Sequence, residues 1–275
     1  MGGRLYIDVR MAKNFEQFVA EHANNQFNLP ASPDAVKEKT KEKYSKNLVH
    51  IIGAYGSAKK RLQGGMYAPG EKKALEDTVA TLGSEMGRAY MRAFGVARID
   101  PEYRQRLEAD RKLLQAIVGV NEANRAFSGF EGEVIMGSRL MTTPGGVLYY
   151  ATTDEDTHNG TDFWLNVDGN LLALQIKATK LKDPNQNKLL YPVGTPQERA
   201  VFIGEMRSLI DETGPVEFDR KINDYMRASE KIALSADTLY SNTRAVMGIH
   251  ATNGTELSDR GVDAGAVARS LALRS

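Results

Sequence analysis

Alternation of apolar and other residues is clearest in the middle of the chain. It runs from Phe163 to Val167 and again from Leu172 to Ile176, with Asp168-Gly169 between the two stretches. A period of two predicts strands, and Asp-Gly is the pair expected of a two-residue type I′ loop, because both positions need positive φ. The predicted hairpin pairs Val167 with Asn170, Leu165 with Leu172 and Phe163 with Leu174; one step further, Asp162 stands opposite Gln175. Phe163, Leu165 and Val167 share a face with Leu172, Leu174 and Ile176 that must be covered. The other face carries Asp162, Trp164, Ala173, Gln175 and Lys177. Val147 to Thr152, after the Pro144-Gly145-Gly146 turn, predicts an earlier strand and hence a meander.

Elsewhere the period is helical. Gly129 to Met141 predicts a helix with Phe130, Val134, Gly137, Leu140 and Met141 on one side. Glu133 falls within that apolar side and Glu131 near its edge. Upstream come a short alternation at Leu5 to Val9, an amphipathic helix around Phe15, Phe18 and Val19, and helices over Asp34 to Arg61, Glu71 to Phe94 and Pro101 to Phe127. Asp100 caps the last, with Pro101 in its first turn. Downstream, Thr195-Pro196-Gln197-Glu198 is a capping box opening a helix through Ile210. Phe218 to Met247 predicts a long helix or a broken pair, and Asn253 to Ser275 a weakly ordered tail. The expected class is α+β: a core of helix, antiparallel meander and covering helix over residues 128–212, between a helical N-terminal region (1–127) and a helical C-terminal region with its tail (213–275).

Composition narrows the chemistry. The 275 residues are 41% hydrophobic and 26% charged, as in ordinary soluble globular proteins. No apolar run approaches a membrane span, and no signal-peptide core follows Met1, so no membrane partner is expected. The absence of cysteine removes disulfides, thiolate catalysis and cysteine-based zinc sites. It suits a reducing cytoplasm, and also export by a dedicated machine. A net charge of +1 requires any nucleic-acid surface to be a local patch. The lysines from Lys37 to Lys46 interleave with Glu38 and Glu42 and read as a solvated face; Gly53 to Lys59 lacks the spacing of a phosphate-cradling loop.

The hairpin carries the candidate chemistry. Directly opposite Cβ atoms lie roughly 5 Å apart, close enough for the Asp162 carboxylate and the Gln175 carbonyl to share one small cation, with Lys177 alongside. A carboxylate pointing into packing needs a partner such as a metal, which selects Glu133 as the helical acid and keeps Glu131 in reserve. The stretch Asp154 to Asp162 fails the EF-hand register and reads as a loop that delivers Asp162 and contributes outer charge. His158 in that loop is a candidate proton carrier. Lys180, Lys182 and Lys188 follow the hairpin at the Lys177 end, where they hold a phosphate backbone or stand as solvated lysines, and Trp164 would flank the site and either stack on a base or simply cap the sheet.

Asp162-x(12)-Gln175-x-Lys177, on adjacent strands after a glutamate-bearing helix, resembles the PD-(D/E)xK nuclease superfamily over Phe130 to Lys180. The resemblance implies a restriction-endonuclease-like core and hydrolysis of phosphodiester bonds in nucleic acid, DNA before RNA. It implies Mg²⁺ or Mn²⁺ held by Glu133, Asp162 and Gln175, with Lys177 orienting or deprotonating the attacking water. Gln175 stands where the commonest pattern has Asp or Glu, although Mrr-like branches also carry Gln-x-Lys. Glutamine keeps an oxygen ligand but withdraws one negative charge, which weakens metal binding. Two other classes stay open: a nuclease-fold module that binds nucleic acid or protein without chemistry, and a helical interaction protein in which Asp162 and Lys177 merely pair. The flanking helical regions are the surfaces offered to a protein partner or a second copy.

Overall fold

Asp168 and Gly169 take φ values of 52° and 88°, the left-handed pair that a type I′ loop demands. The strands beside them pair as the pattern predicts: Val167 with Asn170, Leu165 with Leu172 and Phe163 with Leu174. The computed structural model describes residues 13–65, 67–183, 190–212, 214–252 and 264–273. The fold is α+β, built on one mixed sheet. Its strands are β1 (Gly146–Tyr150), β2 (Phe163–Val167), β3 (Asn170–Thr179), β4 (Leu190–Pro192) and β5 (Thr243–Ala251), ordered β1-β2-β3-β5-β4. The meander β1-β2-β3 is antiparallel; β5 runs parallel to β3, from Leu171 beside Thr243 to Thr179 beside Ala251, and β4 closes the edge antiparallel to β5.

The parallel pair corrects the sequence reading, which extended a helix to Met247 and made the C-terminal region all-helical. The helix stops at Leu239, Asn242 turns the chain with φ of 54°, and Thr243 begins a strand. Ala245, Val246, Met247 and Ile249 are buried on both faces of the sheet, so the strand shows an unbroken apolar run instead of alternation. The sheet therefore draws on residues either side of 212. A second correction concerns the tail, where Ala264–Ala272 forms a packed helix. Leu5 to Val9, and residues 253–263, lie outside the described residues.

The helices are α1 (Phe15–His22), α2 (Glu38–Gln63), α3 (Glu71–Ala97), α4 (Pro101–Val118), α5 (Val120–Leu140), α6 (Pro196–Leu209), α7 (Pro215–Leu239) and α8 (Ala264–Ala272). Asp100 caps α4 by accepting from the N–H groups of Glu102 and Tyr103, both at 3.0 Å. The helix expected to run on to Phe127 breaks at Gly119, whose φ of 94° only glycine adopts freely. The predicted capping box at Thr195 and Glu198 opens α6. Among the described residues no helix is long and apolar enough to cross a membrane.

Each face of the sheet has its own core. Phe163, Leu165, Leu172, Leu174 and Ile176 pack under Val134, Met136 and Leu140 of α5 and Ala268 and Leu271 of α8. Trp164, Ala173, Met247 and Ile249 pack on the opposite side against Phe18 of α1, Phe202 and Met206 of α6, and Tyr225, Ile232 and Ala236 of α7. A third core, including Leu48, Ile52, Tyr90, Leu107 and Phe127, fills the bundle of α2 to α5. Helix α5 thus belongs to two layers. Gly132 lets it approach the sheet: a Cβ there would stand 3.2 Å from that of Ala178 and 3.1 Å from the His250 ring.

Between β1 and β2 the chain makes a single π-helical turn, Glu155–Asn159, closed by Gly160 with φ of 70°. Glu155 pins it. Its buried carboxylate accepts from the Thr152 N–H at 2.7 Å, meets His22 Nε2 at 2.9 Å and receives the Tyr240 hydroxyl at 3.0 Å. Burial alone would push this carboxyl up, but the His22 contact and the Thr152 N–H outweigh it and hold the pKa at about 2. A depressed pKa stabilises the fold above the unfolded value near 4.5, and that stability is lost as pH falls towards 2. Glu155→Gln should therefore flatten the stability profile between about pH 4.5 and 2, where wild type loses roughly 3 kcal/mol through this group. Urea midpoints across that range measure it, and identical slopes for both proteins would refute the role of Glu155.

Candidate active site

The regular ladder of β2 with β3 ends at Phe163 opposite Leu174, and Asp162 is held just past it. Asp162 N–H donates to Leu174 O at 2.8 Å, Ala151 N–H donates to Asp162 O at 3.1 Å, and the Ile176 N–H donates to Asp162 Oδ2 at 2.6 Å. Asp162 is thereby tied to Leu174 and Ile176 of β3, either side of Gln175; the expected cross-strand pairing with Gln175 is not part of the register, which closes one residue earlier. Gln175 is 7% exposed, and its Oε1 is buried with no hydrogen-bond partner. Lys177, one strand period on, lines a cleft of about 700 Å³ between α5, the end of β3 and α7. Glu133 reaches the same cleft from α5 and also lines a smaller cavity of about 190 Å³ with Ser84, Phe130 and Asp156.

The acids oppose one another. Glu133 and Asp162 keep some accessible surface, yet protein hems them in closely enough to strip away solvent. Burial raises the Asp162 pKa to about 7; Asp156 adds to the rise, while Lys177 and the Ile176 N–H restrain it. Glu133 is pushed well above the usual carboxylate range by burial, then by Asp162 and Asp156. Asp156 rises through burial against the pull of Ser84, Arg88, Lys177 and Lys231.

Asp156 and Lys231 were missed in the sequence as members of this group. Asp156 lies in the π-helical turn, where it accepts from the Ser84 hydroxyl. Lys231 arrives on α7 and donates to Thr157 O at 2.9 Å, while the Ser235 hydroxyl donates to Asn159 O at 2.9 Å. The acid-rich loop was a signal for Asp156. For Lys231 there was none, since α7 enters through a distant crossover.

Other candidates fall elsewhere. Trp164 is fully buried, its ring 5.8 Å from Phe18 and 5.1 Å from Tyr240, because α1 and α7 cover the face taken to be open; it cannot stack on a base. Glu131 turns into the helical layer, accepting from Tyr90 and Arg111, each at 2.7 Å. His158 is exposed and paired with Asp154 at 2.8 Å. Lys180 lines the cleft but pairs with Asp211 at 2.6 Å, and Lys182 donates to Ser208 O at 3.2 Å. Lys188 lies outside the described residues. On the α7 wall, Arg220 is held by Glu217 and Asp224, and Lys221 by Glu212.

The donors suit a hard divalent cation: carboxylates of Asp162 and Glu133, and the orphaned Gln175 oxygen. Among the described residues no three His, Cys, Asp or Glu side chains lie close enough together to hold an ion by themselves. A cation here would draw on the Gln175 amide as well.

A carboxyl whose folded pKa lies above its unfolded value holds its proton more tightly when folded, so stability falls as pH climbs from about 4 to about 7 and stays low above. Asp162→Asn keeps the acceptor for the Ile176 N–H and removes the charge. It should stabilise the metal-free protein at pH 8 by roughly 2–4 kcal/mol and have little effect at pH 4. Thermal melts in chelator at both pH values measure this; a destabilised variant at pH 8 would contradict the repulsion described.

Compared with known protein families, curated proteins and solved structures, the chain matches none, and the chemistry rests on the site itself.

Proposed function

We propose that the protein is a divalent-metal-dependent nuclease hydrolysing phosphodiester bonds of nucleic acid, DNA before RNA, on a restriction-endonuclease-like core. The observation that carries this reading is that Glu133 and Lys177 line one cleft, with Asp162 near enough to act on the Glu133 carboxyl and to be acted on by Lys177, and with Gln175 one strand period before Lys177. Those are the positions the PD-(D/E)xK resemblance requires. In the proposed core α5 supplies the first acid, β2 and β3 the motif, and α7 with α6 the cover.

Each residue then has a task. Asp162 and Glu133, which repel each other in a poorly solvated place, would hold Mg²⁺ or Mn²⁺, with Gln175 as a neutral third donor. When bound, such an ion polarises a phosphoryl oxygen and acidifies water. Lys177 offsets charge growing on the phosphate and orients the attacking water. With an amide in place of a third acid, affinity for Mg²⁺ is weak, and Mn²⁺, less demanding in ligand type, supports more activity. Gln175 also favours a second reading, a nucleic-acid-binding module on the same fold without catalysis.

Calorimetric titration with Mn²⁺ should give saturable binding for wild type and none for Asp162→Ala. Digestion of plasmid and single-stranded DNA in Mn²⁺ should fall at least about 100-fold in Lys177→Ala, with Mn²⁺ binding retained, because removing a group that stabilises developing charge has that scale of effect. Lys177→Arg should not restore cutting, since a guanidinium is planar, longer and never deprotonated. Wild-type rates in Lys177→Ala would sink the mechanism, and a wild type that cuts nothing under any divalent ion would leave the binding module.

A further inference from the structure

Helix α5 borders a second cavity, of about 470 Å³, between α3, α4 and α5. Glu131 lines it, two positions before Glu133 and so turned about 200° from it around the helix axis. The cavity shares no lining residue with the cleft at Lys177. It has no part in the nuclease reading.

Three arginines surround it. Arg111 donates to Glu131 at 2.7 Å and lies over the Phe127 ring at 4.9 Å, but its Nε–H is buried with no hydrogen-bond partner. Arg104 donates to the carbonyls of Ala97 and Arg98, at 3.1 and 3.3 Å, which holds its planar fork in place. Arg98 is exposed, and among the described residues neither Arg98 nor Arg104 has a carboxylate partner. Phe94, half-buried, offers its ring as the floor, backed by the fully buried Tyr90, whose ring stacks on it at 5.9 Å and 13°. Arg111 pairs with Glu131 at 2.7 Å and more loosely with Glu108 on the rim, 3.7 Å from its Nε, where the Glu108 carboxylate can also accept from an amino or hydroxyl group.

Guanidinium forks that no carboxylate has claimed match the oxygens of a phosphate, and an aromatic floor matches a planar ring attached to it. The volume falls in the usual range for small-molecule sites, roughly 300–1,000 Å³. We propose that this cavity binds a nucleoside 5′-phosphate, free or at the 5′ end of a strand.

Calorimetry on the full chain in chelator, with adenosine 5′-monophosphate, adenosine and inorganic phosphate as separate titrants, tests this. The monophosphate should bind saturably, with adenosine and phosphate each about tenfold weaker or more. Arg98→Gln should weaken the monophosphate about tenfold at unchanged melting temperature, the loss of one charge-assisted hydrogen bond, because among the described residues the Arg98 side chain has no hydrogen-bond partner. Lys177→Ala should bind it like wild type. A hexanucleotide that binds more tightly with a 5′-phosphate than with a 5′-hydroxyl, in an Arg98-dependent way, makes a strand end the ligand; equal binding of the two makes it the free nucleotide. No saturable heat from the monophosphate, phosphate binding as tightly as the nucleotide, or affinity that depends on Lys177 and not on Arg98 would each overturn the proposal.

Discussion

Two left-handed backbone conformations, at Asp168 and Gly169, hold the candidate site in register. Because side chains alternate with a period of two, a slip of one residue between β2 and β3 would turn the side chains of one strand to the opposite face from those of the other and part Phe163 from Leu174. The loop is braced from outside by Arg269 of α8, which donates to Asp168 Oδ2 at 2.9 Å. At the far end the Ile176 N–H grips Asp162. Hairpin geometry, rather than any contact within the cleft, decides which atoms meet there.

What meets there is unfavourable in the protein alone. Three acids share a place with little water, and two lysines offset them only in part. Such an arrangement persists because surrounding elements over-determine it: Gly132 brings α5 against the sheet, and Glu155, with His22 and Tyr240, pins the turn that carries Asp156. Stability given up at one cluster of carboxylates is offset by a neighbouring one, one residue away in the chain and with the opposite pKa shift. The cleft walls are economical with free charge. Lys180, Arg220 and Lys221 already have acidic partners, so any polyanion must compete with the protein's own carboxylates for them.

Local pattern made part of this legible. The Asp-Gly turn, the alternation around it and the caps at Asp100 and Thr195 are properties of short stretches, and each stands where the sequence puts it. Helical periodicity separated Glu133 from Glu131, which faces Arg111 instead. Legibility ended where distant chain decides the environment. A strand buried on both sides, such as β5, carries no alternation to distinguish it from a buried helix. Trp164 looked available because nothing in the hairpin announces that α1 and α7 cover its second face. Lys231 lies on a helix, and Arg98 just past the end of one, whose neighbours are fixed only by tertiary packing.

The parallel pairing of β3 with β5 also sets an order of assembly. Lys177 lies beside Ile249, and a parallel neighbour can be added only after a long crossover, here through β4, α6 and α7. Contacts so far apart in sequence form late and slowly. During synthesis the helix and meander emerge with every residue of the motif already present, yet the wall of the cleft and the strand flanking Lys177 are still to come. A product cut short before Pro215 would carry the whole motif and lack the α7 wall of the cleft. Completion of the cleft is thus tied to translation of the crossover.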